Sequence, residues 1–231
     1  MTAVQICVTP LFFLMPSSDS DKIFVRLTER YDLASSQNEF LHFDNPYQIL
    51  IATILSAQTT DKTVNQVTQI LFRQFPDPYA LSHADPTRVE EIIHSTGFYR
   101  AKTRHIIAAA QTLVSTFHGE VPDTIAQLIT IPGVGRKTAN IVIHHGFGRA
   151  DGIAVDTHVK RLSMRLGLSQ KTDPDHIEQD LLKIFPKSIW GTINGLFILH
   201  GRKTCTAKKP SCNQCILSDL CPYQGKSTNP F

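Results

Sequence analysis

The apolar positions of this chain recur at helical spacing. The stretch "YQILIATILSA" (47–57) is apolar on every side, contains no Gly or Pro and is too long for a typical strand. It predicts a helix buried all round. In "TRHIIAAAQTLVSTF" (103–117), Ile106, Ile107, Ala110, Leu113, Val114 and Phe117 form one stripe, the mark of an amphipathic helix. "DTHVKRLSMRLG" (156–167) opens on capping residues, repeats apolar groups at Val159, Leu162 and Leu166, and stops at Gly167. A further helix over 173–185 is bracketed by Pro174 at its start and Pro186 after its end. Period-two alternation is nearly absent, so the expectation is an all-α protein with short loops and no internal repeat.

One stretch departs from this pattern. In "IPGVGRKTAN" (131–140), Pro132 ends an apolar run, and Gly133 and Gly135 permit backbone conformations that other residues resist. A Walker phosphate loop ending at Lys137 and Thr138 would need glycine at 131 and 136, where Ile131 and Arg136 stand. A dinucleotide fingerprint would need glycine at 138 and a preceding strand. What remains is a tight hairpin between two helices. The amides of Gly133, Val134, Gly135 and Arg136 can hold a DNA phosphate without reading sequence. The alternative is a plain helix-helix corner.

Lys137 falls in the first turn of the second helix, beside Arg136, where the macrodipole disfavours an ammonium. An exposed surface charge and a nucleophilic amine are both open for it. A helix reaching His145 spans about 13 Å. The ten residues 146–155 can stretch roughly 33 Å, so the chain can return Asp156 to face Lys137. Asp156 can equally cap the next helix.

Charge adds a direction. Residues 1–48 carry 3 basic and 6 acidic side chains, 136–165 carry 6 and 2, and 200–226 carry 5 and 1. The two late basic segments suit a polyanionic partner, although a solvated face has the same composition. No apolar run reaches the ~18 residues that span a bilayer. The apolar stretch at 4–15 lacks a cationic leader region, which makes residues 1–17 an expected disordered tail.

Four of the five cysteines, Cys205, Cys212, Cys215 and Cys221, fall in a C-x6-C-x2-C-x5-C pattern. Such crowding is unlike a disulfide framework, which places the chain in a reducing cytosol. Four thiolates suit one metal centre, either zinc or an iron-sulfur cluster.

Taken jointly, "LSAQTTD" (55–61), "IPGVGRKTAN", "IAVDTH" (153–158) and "LHGRKTC" (199–205) resemble the endonuclease III family of the helix-hairpin-helix DNA glycosylase superfamily. The resemblance covers about residues 20–225. It implies two all-α lobes with the active site in the cleft between them. A six-helix barrel with the hairpin spans 39–150; 18–38 and 151–231 form a domain holding a 4Fe-4S cluster on the four cysteines. It also implies a glycosylase and abasic-site lyase that removes oxidised pyrimidines from duplex DNA, with Lys137 and Asp156 catalytic. Gln58 matches the family's gap-filling glutamine. Phe98 stands where the family has an aliphatic wedge, so that assignment departs from the pattern. Lys208 and Lys209, between the first two cysteines, can contact the DNA backbone; the family often adds a basic residue where Ser211 stands. The alternatives are a mismatch-specific glycosylase and a non-catalytic DNA-binding module. A monomer in the cytoplasm, associated with the nucleoid in a bacterium and with no membrane, completes the expectation.

Overall fold

The computed structural model describes residues 18–223. The tail at 1–17 and the end of the chain at 224–231 lie outside the described residues. Among the described residues every regular element is helical. The α-helices are α1 (Asp19–Arg30), α2 (Pro46–Leu55), α3 (Asp61–Gln74), α4 (Pro78–Ser82), α5 (Pro86–Ile93), α6 (Tyr99–Phe117), α7 (Ile125–Leu128), α8 (Arg136–Phe147), α9 (Thr157–Arg165), α10 (Pro174–Ile184) and α11 (Trp190–Lys203).

Local chemistry sets most of these boundaries. Asn45, Thr60, Asp77, Asp85, Thr124, Asp156 and Asp173 each turn a side-chain oxygen onto an N–H of the first turn. Such a cap contributes about 1 kcal/mol. Proline opens α2, α4, α5 and α10, where its missing N–H would have no partner. Gly148, at φ 69°, closes α8.

The helices bury two separate apolar cores. α2 to α6 and α8, with α7 as a one-turn entry to the hairpin, enclose the first, which includes Leu50, Leu55, Val64, Leu71, Ile106, Leu113 and Val142. α2 is its axis: every side chain from Ile49 to Leu55 is buried, as its all-round apolar sequence predicts. The second core gathers Ile23 and Leu27 of α1 with Val159, Leu162, Leu181, Leu196 and Phe197 from α9 to α11. The N-terminal helix therefore packs with the C-terminal third of the chain. Polar bonds join the two lobes: Arg202 reaches Asp61 at 2.7 Å and the Glu39 carbonyl at 2.6 Å, and Lys203 pairs with Glu39 at 2.7 Å.

Candidate active site

The hairpin connects α7 to α8. Gly133 takes φ 81°, and an added Cβ there would press on His105 and Ile54. Val134 buries its side chain in the first core, and its N–H bonds the Ile131 carbonyl at 3.1 Å. That amide is occupied, which corrects the expectation that it faces a phosphate. The exposed Gly133 and Gly135 carry the outward backbone. Gly135 offers α8 no capping side chain, so the first-turn amides keep their hydrogen-bonding capacity for an outside acceptor. Lys137 stands in that turn, exposed to solvent.

The segment carrying Asp156 is brought back by a buried carboxylate. Glu178 of α10 is only 2 % exposed. It accepts from Arg136 Nε at 2.5 Å and Nη2 at 3.3 Å, from Asn140 Nδ2 at 2.9 Å and from the Ile153 N–H at 3.3 Å. One side chain thus joins the start of α8, where Lys137 sits, to the strand-like stretch that leads into Asp156. Gly152 lies so close that a Cβ would collide with Glu178 and Asn140. Asn194 of α11 adds a bond of 2.8 Å to the Ala154 carbonyl. Asp156 itself is half-buried and caps α9 through Oδ1, 2.8 Å from Val159 N. The capping role expected for it is real, and it uses one of two carboxylate oxygens.

Two further loops are exposed. Gln58 follows α2 with φ 54°, and Phe98 precedes α6 with φ 47°, a left-handed conformation rare in residues with side chains. Phe98 is 70 % exposed. Beneath them Lys102, 4 % exposed, donates to Thr59 Oγ1 at 2.6 Å and to the Thr96 carbonyl at 2.8 Å. Burial holds its ammonium below the usual lysine range.

All four cysteines line one cavity, together with Arg165, His200, Thr204 and Tyr223. Four thiols lining one cavity are the donor set that a single four-cysteine centre requires. The donors around it also fit thiolates: Arg165 Nη1 donates to Cys205 Sγ at 3.2 Å, and the Leu217 N–H to Cys215 Sγ at 3.4 Å. Arg165 further binds the Thr206 and Ala207 carbonyls at 2.8 and 2.9 Å, pinning the loop on which Lys208 and Lys209 are exposed.

Comparison with known proteins follows the same outline. Residues 51–187 match the model of the HhH-GPD superfamily of base excision DNA repair proteins. Residues 205–221 match the iron-sulfur binding domain of endonuclease III. The chain is 52 % identical over 182 residues to endonuclease III of Synechocystis, covering 79 % of this chain and 83 % of that one. It belongs to the endonuclease III family. Similarity to the Escherichia coli K12 endonuclease III extends further, at 38 % identity over 205 residues, 89 % of this chain and 95 % of that protein. A solved endonuclease III trapped as a covalent intermediate with DNA superimposes with a TM-score of 0.79 at 38 % identity, over 91 % of this chain and 97 % of the other. As in that family, the cofactor is a 4Fe-4S cluster in the domain that begins at Cys205.

Neither Glu178 nor Lys102 stands out as a motif. Each nevertheless leaves a trace: Glu178 lies between Ile177 and Leu181 on the buried face of α10, and Lys102 one turn before Ile106 on the apolar stripe of α6. A charge on a core-facing stripe signals a buried polar network.

Proposed function

We propose that this endonuclease III family member is a bifunctional DNA glycosylase and abasic-site lyase that removes oxidised pyrimidines from duplex DNA, with Lys137 as nucleophile. The observation that carries the reading is the exposed Lys137 amine at an uncapped helix start, tied through Glu178 to the segment bearing Asp156. DNA lies across the cleft between the barrel at 39–150 and the cluster lobe formed by 18–38 and 151–231. The outward backbone of Gly133 and Gly135, with Arg136, takes a phosphate on one strand. The target nucleotide leaves the stack, because an amine on the protein surface cannot reach C1′ inside a duplex. Gln58 and Phe98 occupy the space it vacates.

The free amine of Lys137 then attacks C1′. A C–N bond forms, the glycosidic bond breaks, and the base departs with the bonding electrons. Asp156 stabilises the positive charge that develops on the sugar, using the oxygen its cap leaves over. Loss of water is not required: the ring C–O bond opens to give the protonated Schiff base. Removal of a C2′ proton then expels the 3′ phosphate by β-elimination, and hydrolysis releases Lys137. Cys205, Cys212, Cys215 and Cys221 would hold the 4Fe-4S cluster, which would supply a structural cross-link, while Arg165 holds the Thr206 and Ala207 carbonyls of the loop that presents Lys208 and Lys209 to the backbone. The protein acts as a monomer in the cytoplasm, on damaged or abasic sites of chromosomal DNA.

Borohydride trapping tests this. Incubation with abasic-site DNA and reductant should give a covalent adduct that Lys137→Gln abolishes while DNA binding largely persists. An undiminished adduct in the variant refutes the assignment. A duplex panel, each with one defined lesion or mismatch, separates oxidised-pyrimidine repair from mismatch repair.

A further inference from the structure

We infer that Lys102 is a positioning residue for nucleotide extrusion: it straps the Gln58 loop to the Phe98 loop so that both enter the duplex at one fixed spacing. The inference rests on the reading above that Gln58 and Phe98 fill the vacated space.

Three atoms form the strap. Lys102 Nζ donates to Thr59 Oγ1 and to the Thr96 carbonyl. The Thr59 hydroxyl in turn donates to the same carbonyl, which closes the triangle. Thr59 is the residue after Gln58, and Thr96 is two residues before Phe98. The backbone on both sides is in the left-handed region, with Gln58 at φ 54°, Gly97 at 65° and Phe98 at 47°. Left-handed residues with side chains persist only where their surroundings hold them. Local backbone bonds, from the Thr59 N–H to the Ser56 carbonyl and from the Lys102 N–H to the Phe98 carbonyl, both at 3.1 Å, hold each loop by itself; what joins one loop to the other is the strap underneath.

The choice of lysine is informative. A core-facing position one turn before Ile106 would be filled more cheaply by an apolar side chain, since an ammonium with only neutral acceptors gives up hydration without gaining an ion pair. Methionine there would pack equally well but could not bond two loops at once. Because the ammonium is 4 % exposed, it is in no position to meet phosphate. Its role is therefore separable from that of the surface cations.

The test compares Lys102→Met with wild type in single-turnover excision of an oxidised pyrimidine paired in duplex DNA, and in cleavage of a preformed abasic site. 2-Aminopurine beside the lesion reports extrusion. Excision from the paired lesion should fall about tenfold to hundredfold with a matching loss of the fluorescence rise. Cleavage at the abasic site, which has no base pair to break, should fall much less. Thr59→Val should reproduce the pattern in weaker form, and the double variant should lose no more than Lys102→Met alone, because both remove one strap. Thr59→Val carries the test should Lys102→Met fold poorly. Equal losses on both substrates, additive losses in the double variant, or a fall of about one in the salt slope of binding would overturn the inference. Gln58→Ala and Phe98→Ala separate the layers: if they excise normally, the reading of the loops fails and this inference with it. If they are impaired while Lys102→Met and Thr59→Val excise normally, only the strap is wrong.

Discussion

Glu178→Ala would cut the link between the Lys137 helix and the Asp156 segment, and its magnitude follows from what each partner can do afterwards. Arg136 has a side chain 35 % exposed and can turn its guanidinium to water, so it adds little. The Asn140 amide and the Ile153 N–H are buried and would be left without an acceptor. Each orphaned group costs about 1–3 kcal/mol, giving roughly 4 kcal/mol together. For a chain of this size that is a fall of about 8–16 °C in melting temperature. Glu178→Gln keeps one oxygen for these donors and should fall by far less. Thermal unfolding followed by circular dichroism measures both. Well below the transition, Glu178→Ala should still trap abasic DNA about a hundredfold more slowly, because a displacement of about 1 Å in a reacting group is enough for that. A melting temperature within about 2 °C of wild type, or Glu178→Gln worse than Glu178→Ala, would refute the reasoning.

Other variants probe the remaining parts. Asp156→Asn keeps an oxygen for the Val159 N–H, so stability should change by less than about 1 kcal/mol, while the trapping rate drops with the lost charge; a normal rate would leave Asp156 only its cap. Lys208→Ala with Lys209→Ala should reduce the salt slope of DNA binding by about two with the cluster intact, and an unchanged slope would mark both as solvated loop charges. Cys212→Ser should lower the iron content and the visible absorbance together, and should weaken DNA binding through the loosened 205–212 loop. Burial holds the His144 imidazole below the usual histidine range, with its Nδ1 lacking a partner among the described residues. The unfolded chain takes up a proton as pH falls below about 6.5 where the folded chain resists, so stability is full above that pH and declines below it. His144→Gln should flatten the fall in melting temperature between about pH 7 and pH 5.5.

The helices were legible because their signals are local. The all-round apolar run at 47–57, the caps and the prolines each act within a turn or two, and the observed helix Pro46–Leu55 differs only at its ends. The hairpin was legible for the same reason, since Gly133 needs φ 81° whatever surrounds it. Its Val134 amide was misread because the competing acceptor, the Ile131 carbonyl, becomes available only when the turn closes. The return of Asp156 toward the hairpin could be bounded by chain length but not fixed. What fixes it is a carboxylate on α10, 22 residues further on than Asp156, and no local pattern announces such a partner.

Glu178 and Lys102 were invisible as motifs for one physical reason, and it bears on how the molecule works. A chemical group that meets substrate must be exposed, and exposed loops are held weakly by their own sequence. Lys137 and Phe98 are exposed in this way, and so is Gln58. Each is therefore fastened from below by a charge on an otherwise apolar face: Glu178 for the Lys137 and Asp156 segments, Lys102 for the Gln58 and Phe98 loops. A single apolar side chain could fill either position, but van der Waals contact is tolerant of sliding, whereas hydrogen bonds to two or three backbone and side-chain groups fix direction as well as distance. The two buried charges lower stability relative to an apolar core and in exchange define where Lys137 and the Gln58 and Phe98 loops stand.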